Sequence, residues 1–463
     1  MTMICEVGNE IVIQDFTPEI VQWLEHQLTF ANPEYIKKER MGFWVGNTPK
    51  TISLMWRRGN QIGIPFGCLK KIADRRTEFV TILNRVSRPL PGIDYQSGIE
   101  LYDYQQEAVD SALSKGNGVI IAPCGSGKTQ MGLEIAARIG GRTLWLTHTQ
   151  DLLTQSMERA KAVYGLPETE YGTITAGKVN VGNVMTFATV QTMSKMDLSI
   201  VRESFDTVIV DEAHHCVGSP GRVQMFWRVV SGLCARRKIG LTATPHRQDG
   251  LIGCMYALLG DTIYTVTAEK VKQNLCDVRV HFVETGYVPD YNIVLSSDGT
   301  LQYTALINDI VLDKERNAKI IEHIKSVPGA SLVLTDRVSH AAELHNTLNS
   351  PFNGFASILT GKVSKNDREM ILGQIRRGER RILVATYALA QEGLDIPCLE
   401  NVFMTTPRKD SASVIQSAGR AARKFEGKTI GHVWDYVDNF GMLRGWAKKR
   451  ASFYKKAGYY IAL

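Results

Sequence analysis

The sequence lacks the features that mark a membrane-spanning, fibrous or disordered protein. No segment of its 463 residues approaches the ~20 consecutive apolar residues that span a bilayer. It contains no short repeat and no low-complexity segment. Glu6 and Glu10 stand where an export signal needs a basic region and then an uninterrupted apolar core, so no such signal is predicted. With 44% hydrophobic and 22% charged residues, the composition favours an ordinary globular protein without membrane contact.

The chain also lacks paired cysteines at metal-binding or redox spacing. Its eight cysteines never form a C-x-x-C pair and are spread along the whole chain. We therefore interpret them as reduced, mostly structural thiols of a cytoplasmic protein. The excess of 54 Lys and Arg over 47 Asp and Glu gives a net charge of +7. This mild excess is compatible with a polyanionic partner but does not by itself identify one.

Two series of short apolar runs alternate with helical stretches, which is typical of parallel α/β sheets. The runs lack polar/apolar alternation, as expected of strands buried on both faces. The first series comprises residues 118–122, 143–147, 183–187, 207–210 and 239–241, and the second comprises 331–335, 356–359, 381–385, 401–404 and 432–436. We predict two α/β lobes, at 96–250 and 315–440.

The rest of the chain gives a weaker signal. Residues 1–95 combine strand-like pieces at 11–13 and 51–56 with a predicted helix at 18–28, which favours a small α+β domain. The Pro- and Gly-rich stretch 89–92 is predicted to be a linker. Residues 251–314 are expected to connect the lobes, and residues 441–463 to form a helical, basic and aromatic tail.

A glycine-rich loop follows the first apolar run. Residues 122–129 read Ala-Pro-Cys-Gly-Ser-Gly-Lys-Thr and precede a helical pattern, the strand–loop–helix context of a P-loop. Gly125 and Gly127, with Ser126 between them, would let backbone N–H groups surround phosphates at a helix N-terminus. Lys128 would reach the β- and γ-phosphates, and the Thr129 hydroxyl would bind Mg²⁺. Because the general pattern begins with Gly rather than Ala, a chance match stays open for this fragment alone.

An acidic pair follows another apolar run. Asp211 and Glu212 come after residues 205–210, so a buried strand would carry both carboxylates to the sheet edge that holds the P-loop. Asp211 can hold the hydration shell of Mg²⁺, and Glu212 can orient and deprotonate an attacking water. A solvated acidic turn is the alternative, but it would not require the apolar strand. We interpret His215, three residues beyond Glu212, as a packing residue.

Further motifs occur in a recognisable order between residues 100 and 440. They are Tyr104-Gln105, the segment 242–250 with Arg and then Asp-Gly after its proline, and residues 335–337, 385–386, 392–397 and 416–423. Together they resemble the superfamily-two helicases, specifically the DNA-repair branch called XPB-like or UvsW-like, which includes phage-encoded helicases. The resemblance implies two tandem RecA-like lobes, ATP and Mg²⁺ as cofactors, and, for a phage-encoded chain, the host cytoplasm.

The resemblance also implies roles for individual residues. Gln105 would read adenine, and Gly393 and Asp395 would contact the nucleotide. Arg420 and Arg423, three apart and predicted to share a helix face, would act with Gln416 on the γ-phosphate from the second lobe. Such arginine fingers contribute about 10³- to 10⁵-fold in other nucleotide hydrolases. Contacts with the nucleic-acid backbone would come from Thr147, Thr189, Thr335 and Thr386.

The implied activity is ATP-dependent unwinding or branch migration of forked or junction DNA, largely independent of sequence. Because both lobes occur in one chain, a monomer can complete the ATP site. Basic residues among aromatics in 33–88 and in the tail favour contacts with DNA, although solvated helix faces would explain them too. An RNA helicase, a double-strand DNA translocase that does not unwind, and an annealing protein with a structural ATP site are the alternatives.

Overall fold

The computed structural model describes residues 3–75, 81–84, 95–123, 125–175, 177–220, 224–243, 245, 247, 249–350, 355–361, 363–391, 394 and 396–462. The chain divides into two units, Met1–Thr267 and Ala268–Leu463. The linker expected at 89–92 lies outside the described residues. Among those described, no helix is both long and apolar enough to cross a membrane.

A small α+β module forms the first part of unit one. Its elements are β1 Ile4–Val7, β2 Glu10–Gln14, α1 Pro18–Leu28, β3 Thr29–Ala31, α2 Pro33–Arg40, β4 Thr51–Ser53, β5 Trp56–Arg58, β6 Gln61–Pro65, α3 Leu69–Asp74 and β7 Thr81–Asn84. The main sheet has the order β5-β6-β2-β1-β7, and β3 pairs with β4. Helix α1 forms over the predicted residues because Pro18 fits its first turn and Ile20, Leu24 and Leu28 share one buried face. The strand-like piece 51–56 is divided between β4 and β5.

The first α/β lobe follows in the same unit. Its elements are α4 Asp103–Lys115, β8 Gly118–Ile121, α5 Lys128–Ile139, β9 Thr143–Thr147, α6 Gln150–Tyr164, β10 Tyr171–Thr175, β11 Lys178–Asn180, β12 Met185–Thr189, α7 Val190–Met193, β13 Thr207–Asp211, α8 Met225–Gly232, β14 Arg237–Thr242, α9 Ile252–Leu259 and β15 Thr262–Thr265. The sheet order is β11-β10-β12-β9-β13-β14-β8-β15. All described neighbours are parallel except β10 and β11. The five predicted runs are confirmed as β8, β9, β12, β13 and β14.

Unit two contains the second α/β lobe. Its elements are α10 Ala268–Lys272, β16 Asp277–Glu284, α11 Tyr291–Val294, α12 Tyr303–Leu312, α13 Lys314–Ser326, β17 Ser331–Thr335, α14 Val338–Leu348, β18 Ala356–Leu359, α15 Lys365–Arg376, β19 Ile382–Thr386, α16 Tyr387–Gln391, β20 Asn401–Met404, α17 Ser411–Ala418, β21 Ile430–Val437, α18 Gly441–Lys456 and β22 Tyr460–Ala462. The sheet order is β18-β19-β17-β20-β21-β16-β22, and all described pairs are parallel. The second predicted series is confirmed as β17 to β21.

The segments expected to connect and to end the lobes both enter the sheets. Residues 251–314 contribute β15 to the first lobe and β16 to the second. The tail contributes α18 and β22, and β22 pairs with β16. Arg450 of α18, counted among the basic residues of the tail, is buried and pairs with Asp435 through Nη2–Oδ1 and Nε–Oδ2 distances of 2.6 and 2.7 Å. This arginine therefore holds the helix on the sheet instead of facing a ligand.

Candidate nucleotide and nucleic-acid sites

The glycine-rich loop turns between β8 and α5 by means of two left-handed glycines. Gly125 and Gly127 have φ of 80° and 78°, values that residues other than glycine rarely adopt. A Cβ on Gly127 would also lie 2.3 Å from Nε2 of Gln105. Lys128 begins the 12-residue helix α5, and its Nζ lies 3.4 Å from the Ala122 carbonyl oxygen. Cys124 lies outside the described residues.

Tyr104 and Gln105, the motif upstream of the glycine-rich loop, hold this loop in place by hydrogen bonds. The Tyr104 hydroxyl and Gln105 Nε2 both donate to the Ser126 carbonyl oxygen, at 3.1 and 2.8 Å. Gln105 Oε1 accepts from the Tyr102 N–H at 3.0 Å. Gln105 is buried, so its amide fixes the start of α4 against the loop. Reading of adenine by Gln105 stays a prediction.

The acidic pair stands at the end of β13, as the sequence predicts. Burial beside Glu212 raises the pKa of Asp211 to about 6. Burial would also raise the pKa of Glu212, but His214 and Lys128 outweigh it and lower that pKa to about 2. Glu212 has a φ of 50°, a strained conformation for a residue with a side chain. The backbone therefore leaves the extended conformation at Glu212, directly after the end of β13.

His214 joins the acidic pair to the segment 242–250. Its Nδ1 lies 3.3 Å from Glu212 Oε2 and 3.0 Å from Thr242 Oγ1. Arg247 donates through Nη1 to the His214 carbonyl oxygen at 2.8 Å. The same guanidinium pairs with both carboxylate oxygens of Asp249, at 3.0 and 2.5 Å. Thr244, His246 and Gln248 lie outside the described residues.

A series of histidine ring contacts extends from this cluster to the ends of β9 and β12. The His215 ring lies 4.2 Å from that of His214 and 4.6 Å from that of His148, between centroids. The Gln191 amide donates to His148 Nδ1 at 3.1 Å. Burial lowers the pKa of His148, and it lowers that of His215 to about 3, so both rings are neutral. His215 packs as the sequence predicts, but its contact with residue 148 had no sequence signal.

The four threonines predicted to contact nucleic acid end four parallel strands. Thr147 and Thr189 are paired neighbours in the first lobe, and Thr335 and Thr386 in the second. The prediction that Thr147 and Thr335 contact nucleic acid through their side chains is corrected here, because both side chains are fully buried. Thr147 Oγ1 donates to the carbonyl oxygen of residue 149 at 3.1 Å, and Thr335 Oγ1 lies 2.7 Å from His340 Nδ1. These two hydroxyls position the strand ends; the role of the other two stays a prediction.

The arginine motif of the second lobe differs from the predicted helix. Helix α17 ends at Ala418, and the N–H groups of residues 420–422 bond three residues back, which makes a tighter turn than an α-helix. Arg420 donates through Nη1 to the Leu394 carbonyl oxygen at 2.8 Å and through Nη2 to the Ala390 carbonyl oxygen at 2.7 Å. The expectation that Arg420 and Arg423 share one face of a helix is therefore wrong, because α17 ends before both residues.

The remaining members of this motif are Gln416 and Arg423, both partly exposed. The carbonyl oxygen of Arg423 accepts from Lys428 Nζ at 2.9 Å. Gly393 and Asp395 lie outside the described residues. Action of Gln416, Arg420 and Arg423 on the γ-phosphate stays a prediction.

The residues of the first lobe fit ATP and Mg²⁺. Two left-handed glycines open the loop at the N-terminus of a full helix, where backbone N–H groups bind phosphate. Ser126 Oγ is buried without a hydrogen-bond partner inside this loop, so its hydroxyl can donate to a phosphate oxygen. Thr129 in the first turn of α5 and Asp211 supply the hard oxygen ligands that Mg²⁺ prefers.

Two family patterns match the lobes. The family described as "Type III restriction enzyme, res subunit" matches residues 98–247, and "Helicase conserved C-terminal domain" matches residues 315–425. The chain belongs to the superfamily-two helicases. The family's two RecA-like lobes are the two α/β lobes of this chain.

Curated relatives of the helicase are cellular and viral. "DNA 3'-5' translocase XPB2" of Sulfurisphaera tokodaii is 26% identical over 73% of this chain and 81% of its own length. "DNA 3'-5' helicase XPB" of Mycobacterium tuberculosis is 25% identical over 73% of this chain and 58% of its own length. A "Putative ATP-dependent RNA helicase" of Acanthamoeba polyphaga mimivirus is 25% identical over 93% of this chain and 79% of its own. The chain spans about half, 52%, of two archaeal Rad25 relatives.

Solved structures agree with the fold of the helicase. A fragment of a putative HsdR subunit of a type I restriction enzyme from Vibrio vulnificus superimposes with a TM-score of 0.58, at 20% identity, over 79% of this chain and 68% of that chain. Saccharomyces cerevisiae Dbp5 bound to RNA and ADP BeF3 gives a TM-score of 0.56 at 15% identity, over 78% of this chain and 90% of that chain. These likenesses concern the fold.

Proposed function

We propose that the chain is an ATP-dependent DNA helicase or translocase that unwinds or branch-migrates forked and junction DNA in replication, recombination or repair. The observation that carries the proposal is the contact series from Glu212 through His214, His215 and His148 to Gln191. It links the carboxylate assigned to hydrolysis with the strand ends assigned to the nucleic acid. A protein that only bound ATP structurally would not need such a link.

Each residue of the nucleotide site has a chemical task in this proposal. Lys128 neutralises the β- and γ-phosphates, and Glu212 orients the attacking water and accepts its proton. His214, which also contacts Thr242, holds that carboxylate in position. A Mg²⁺ ion at Thr129 and Asp211 would neutralise further phosphate charge when bound.

The second lobe supplies the remaining catalytic residues of this proposal. Arg420 and Arg423, with Gln416, are assigned to the γ-phosphate, as the family pattern implies. Hydrolysis then requires residues of both lobes, so binding of ATP and release of the products can drive a conformational cycle. Repetition of this cycle moves the chain along the nucleic acid.

Two observations favour DNA as the partner. Relatives that carry XPB in their names are named as DNA helicases or translocases, and by analogy we expect 3'-5' movement. The N-terminal module supplies an exposed aromatic tip, defined as Phe43 and Trp44, which are 64% and 87% exposed, beside Met41, which is 55% exposed. Basic side chains of α2, including Lys37 and Arg40, precede this tip, and aromatic rings with cations suit stacked bases and phosphates.

The partner is tested by ATPase assays of the full chain with forked DNA, forked RNA and no nucleic acid. We expect stronger stimulation by the DNA fork, and stronger stimulation by the RNA fork would favour the RNA helicase. Displacement of a triplex strand without unwinding of the fork would favour a double-strand translocase of the restriction type. No stimulation by either nucleic acid would contradict the proposal.

A further inference from the structure

An exposed tyrosine lies near basic residues that follow β17 and β20, two central strands of the second lobe. We define the Tyr303 face as Tyr303, Arg337, Arg408, Lys409 and Trp446. Tyr303 begins α12, Arg337 follows the end of β17, and residues 408 and 409 follow β20. The motifs of the sequence gave Tyr303, Lys409 and Trp446 no shared function.

The Tyr303 ring contacts a buried tryptophan, Trp446. The tyrosine is 46% exposed, and its ring centroid lies 5.7 Å from that of Trp446. Trp446 is 9% exposed and packs in an apolar cluster with Leu306 and Ile310 of α12. Lys409 Nζ lies 5.8 Å from the tryptophan centroid, which places a cation beside the aromatic pair. A rigid ring with one open side loses little entropy when it stacks on a flat ligand.

The two arginines are held in position by neighbours. Arg408 Nη2 pairs with Asp336 Oδ1 at 2.7 Å, and its guanidinium carbon lies 4.5 Å from the centroid of the Tyr387 ring. Arg337 donates through Nε to Asn308 Oδ1 at 3.2 Å. Asp336 interacts electrostatically with both arginines, and the exposed Lys409 gives the face an excess of positive charge. Such a face attracts an anion such as phosphate.

The Tyr303 face borders the strand ends assigned to nucleic acid. Strand β17 lies between β19, which ends in Thr386, and β20. Arg337 is two residues beyond Thr335, the partner of Thr386 in the sheet register. A strand of nucleic acid bound at these strand ends therefore has this face as its neighbour.

We propose that the Tyr303 face binds an unpaired base of single-stranded DNA. The Tyr303 ring stacks on the base, and Arg337 and Lys409 hold the flanking phosphates. This inference rests on the proposed function, because it names where the second lobe holds the strand. It does not concern the ATP site, so the two proposals can fail separately.

Exposed aliphatic side chains in the same unit indicate a second kind of occupant. Val288, Ile293 and Leu312 are 55%, 54% and 70% exposed, and such side chains suit a protein partner. We favour DNA because Arg337 and Arg408 are among the charged groups that interact with Tyr303 and Lys409 lies beside the supporting Trp446. The protein partner is kept as an outcome of the test.

The test measures binding of the full chain to a single-stranded oligonucleotide that carries 2-aminopurine, whose fluorescence reports stacking. Tyr303→Ala should weaken binding about 5- to 100-fold and remove the fluorescence change, whereas Tyr303→Phe should keep both. Tyr291→Ala is the matched control, because Tyr291 is 54% exposed and its ring contacts Phe440 instead. ATP hydrolysis without DNA should be unchanged in all three variants.

A second variant guards against a folding defect. Lys409→Gln should reduce the slope of log K against log salt by about 0.7, the value for one phosphate contact with a single strand. Wild-type affinity and fluorescence in Tyr303→Ala would overturn the inference and leave the face to a protein partner. A wild-type chain that neither binds DNA nor responds to it in ATP hydrolysis would instead overturn the proposed function.

Discussion

At the residue scale, Asp211 makes ATP hydrolysis sensitive to acid. Its pKa is raised to about 6 by burial beside Glu212, so the carboxyl takes up a proton as the pH falls through about 6. A protonated carboxyl is a poor Mg²⁺ ligand. The ATPase rate at saturating ATP should therefore fall below about pH 6, while it stays level between pH 7 and 8.

The pH profile needs a control for the metal. Raising the Mg²⁺ concentration should move the acid limb to lower pH, because metal and proton compete for the same oxygen atoms. An acid limb that does not move with Mg²⁺ would contradict the assignment of Asp211.

Gly127 is the second test at this scale. Gly127→Ala would place a Cβ 2.3 Å from Gln105 Nε2 at a φ of 78°, and such backbone strain costs about 1–2 kcal/mol before any clash. We expect ATP affinity, measured by titration with a fluorescent ATP analogue, to fall about tenfold or more. Gly140→Ala is the control, because Gly140 has a φ of 69° with open space around its Cβ position. Equal losses in both variants would contradict a phosphate loop at 125–129.

At the scale of elements, Lys238 of β14 ties the N-terminal module to the first lobe. Its buried Nζ donates to the Val230 carbonyl oxygen at 2.8 Å and to that of Asn9 at 3.3 Å. Asn9 Nδ2 donates in turn to the Ser231 carbonyl oxygen at 2.6 Å. The module's core residues and those of the lobe form one apolar cluster. We therefore expect the module to unfold together with the lobe.

Lys238 also predicts a change of stability with pH. Burial lowers its pKa from 10.5 to about 7, so between those values the unfolded chain binds more protons than the folded chain. Stability therefore rises as the pH increases from about 7 toward 10.5. In Lys238→Met this contribution should vanish, and the melting temperature, followed by calorimetry from pH 7 to 9.5, should rise less than in the wild type. Parallel curves would contradict a buried lysine at this position.

Strands buried on both faces were predictable, and the half-exposed β16 and the short edge strand β22 of the second lobe were not. The runs at 143–147, 331–335 and 401–404 coincide with β9, β17 and β20 because continuous apolar sequence suits the centre of a parallel sheet. Strand β16 has an alternating, half-exposed pattern, and β22 has only three residues. The alternation of β16 is a strand signal that a search for continuous apolar runs does not detect, and β22 is too short to distinguish from a loop.

The candidate site was predictable where chemistry fixes residue type and order. Lys128 and Asp211 follow apolar strands and stand where such motifs require. The contact between the neutral rings of His148 and His215 depends on side chains 67 residues apart, and the sequence contains no pattern for that contact. The turn at Arg420 escaped prediction for a different reason, since spacing alone does not distinguish an α-helix from a tighter turn.

At the scale of the whole molecule, the aromatic tip should matter for binding of a DNA fork more than for ATP hydrolysis. Trp44→Ala removes a ring that is 87% exposed and should lower affinity for a DNA fork about 5- to 100-fold. Hydrolysis of ATP without DNA should be unchanged. Ile200→Ala, at an apolar side chain that is 65% exposed in the first lobe, is the control for loss of surface. Fork binding at wild-type strength in Trp44→Ala would show that the tip does not contact DNA.

The central claim is that hydrolysis of ATP at Glu212 drives the separation of DNA strands. The most direct measurement is single-turnover unwinding of a fork labelled with a fluorophore and a quencher. Wild type and Glu168→Gln, a change at an exposed glutamate paired with Lys161, should separate the strands only with ATP. Glu212→Gln should bind ATP yet unwind at least about 100-fold more slowly. Unwinding at the wild-type rate by Glu212→Gln, or no ATP-dependent unwinding by the wild type, would contradict the account.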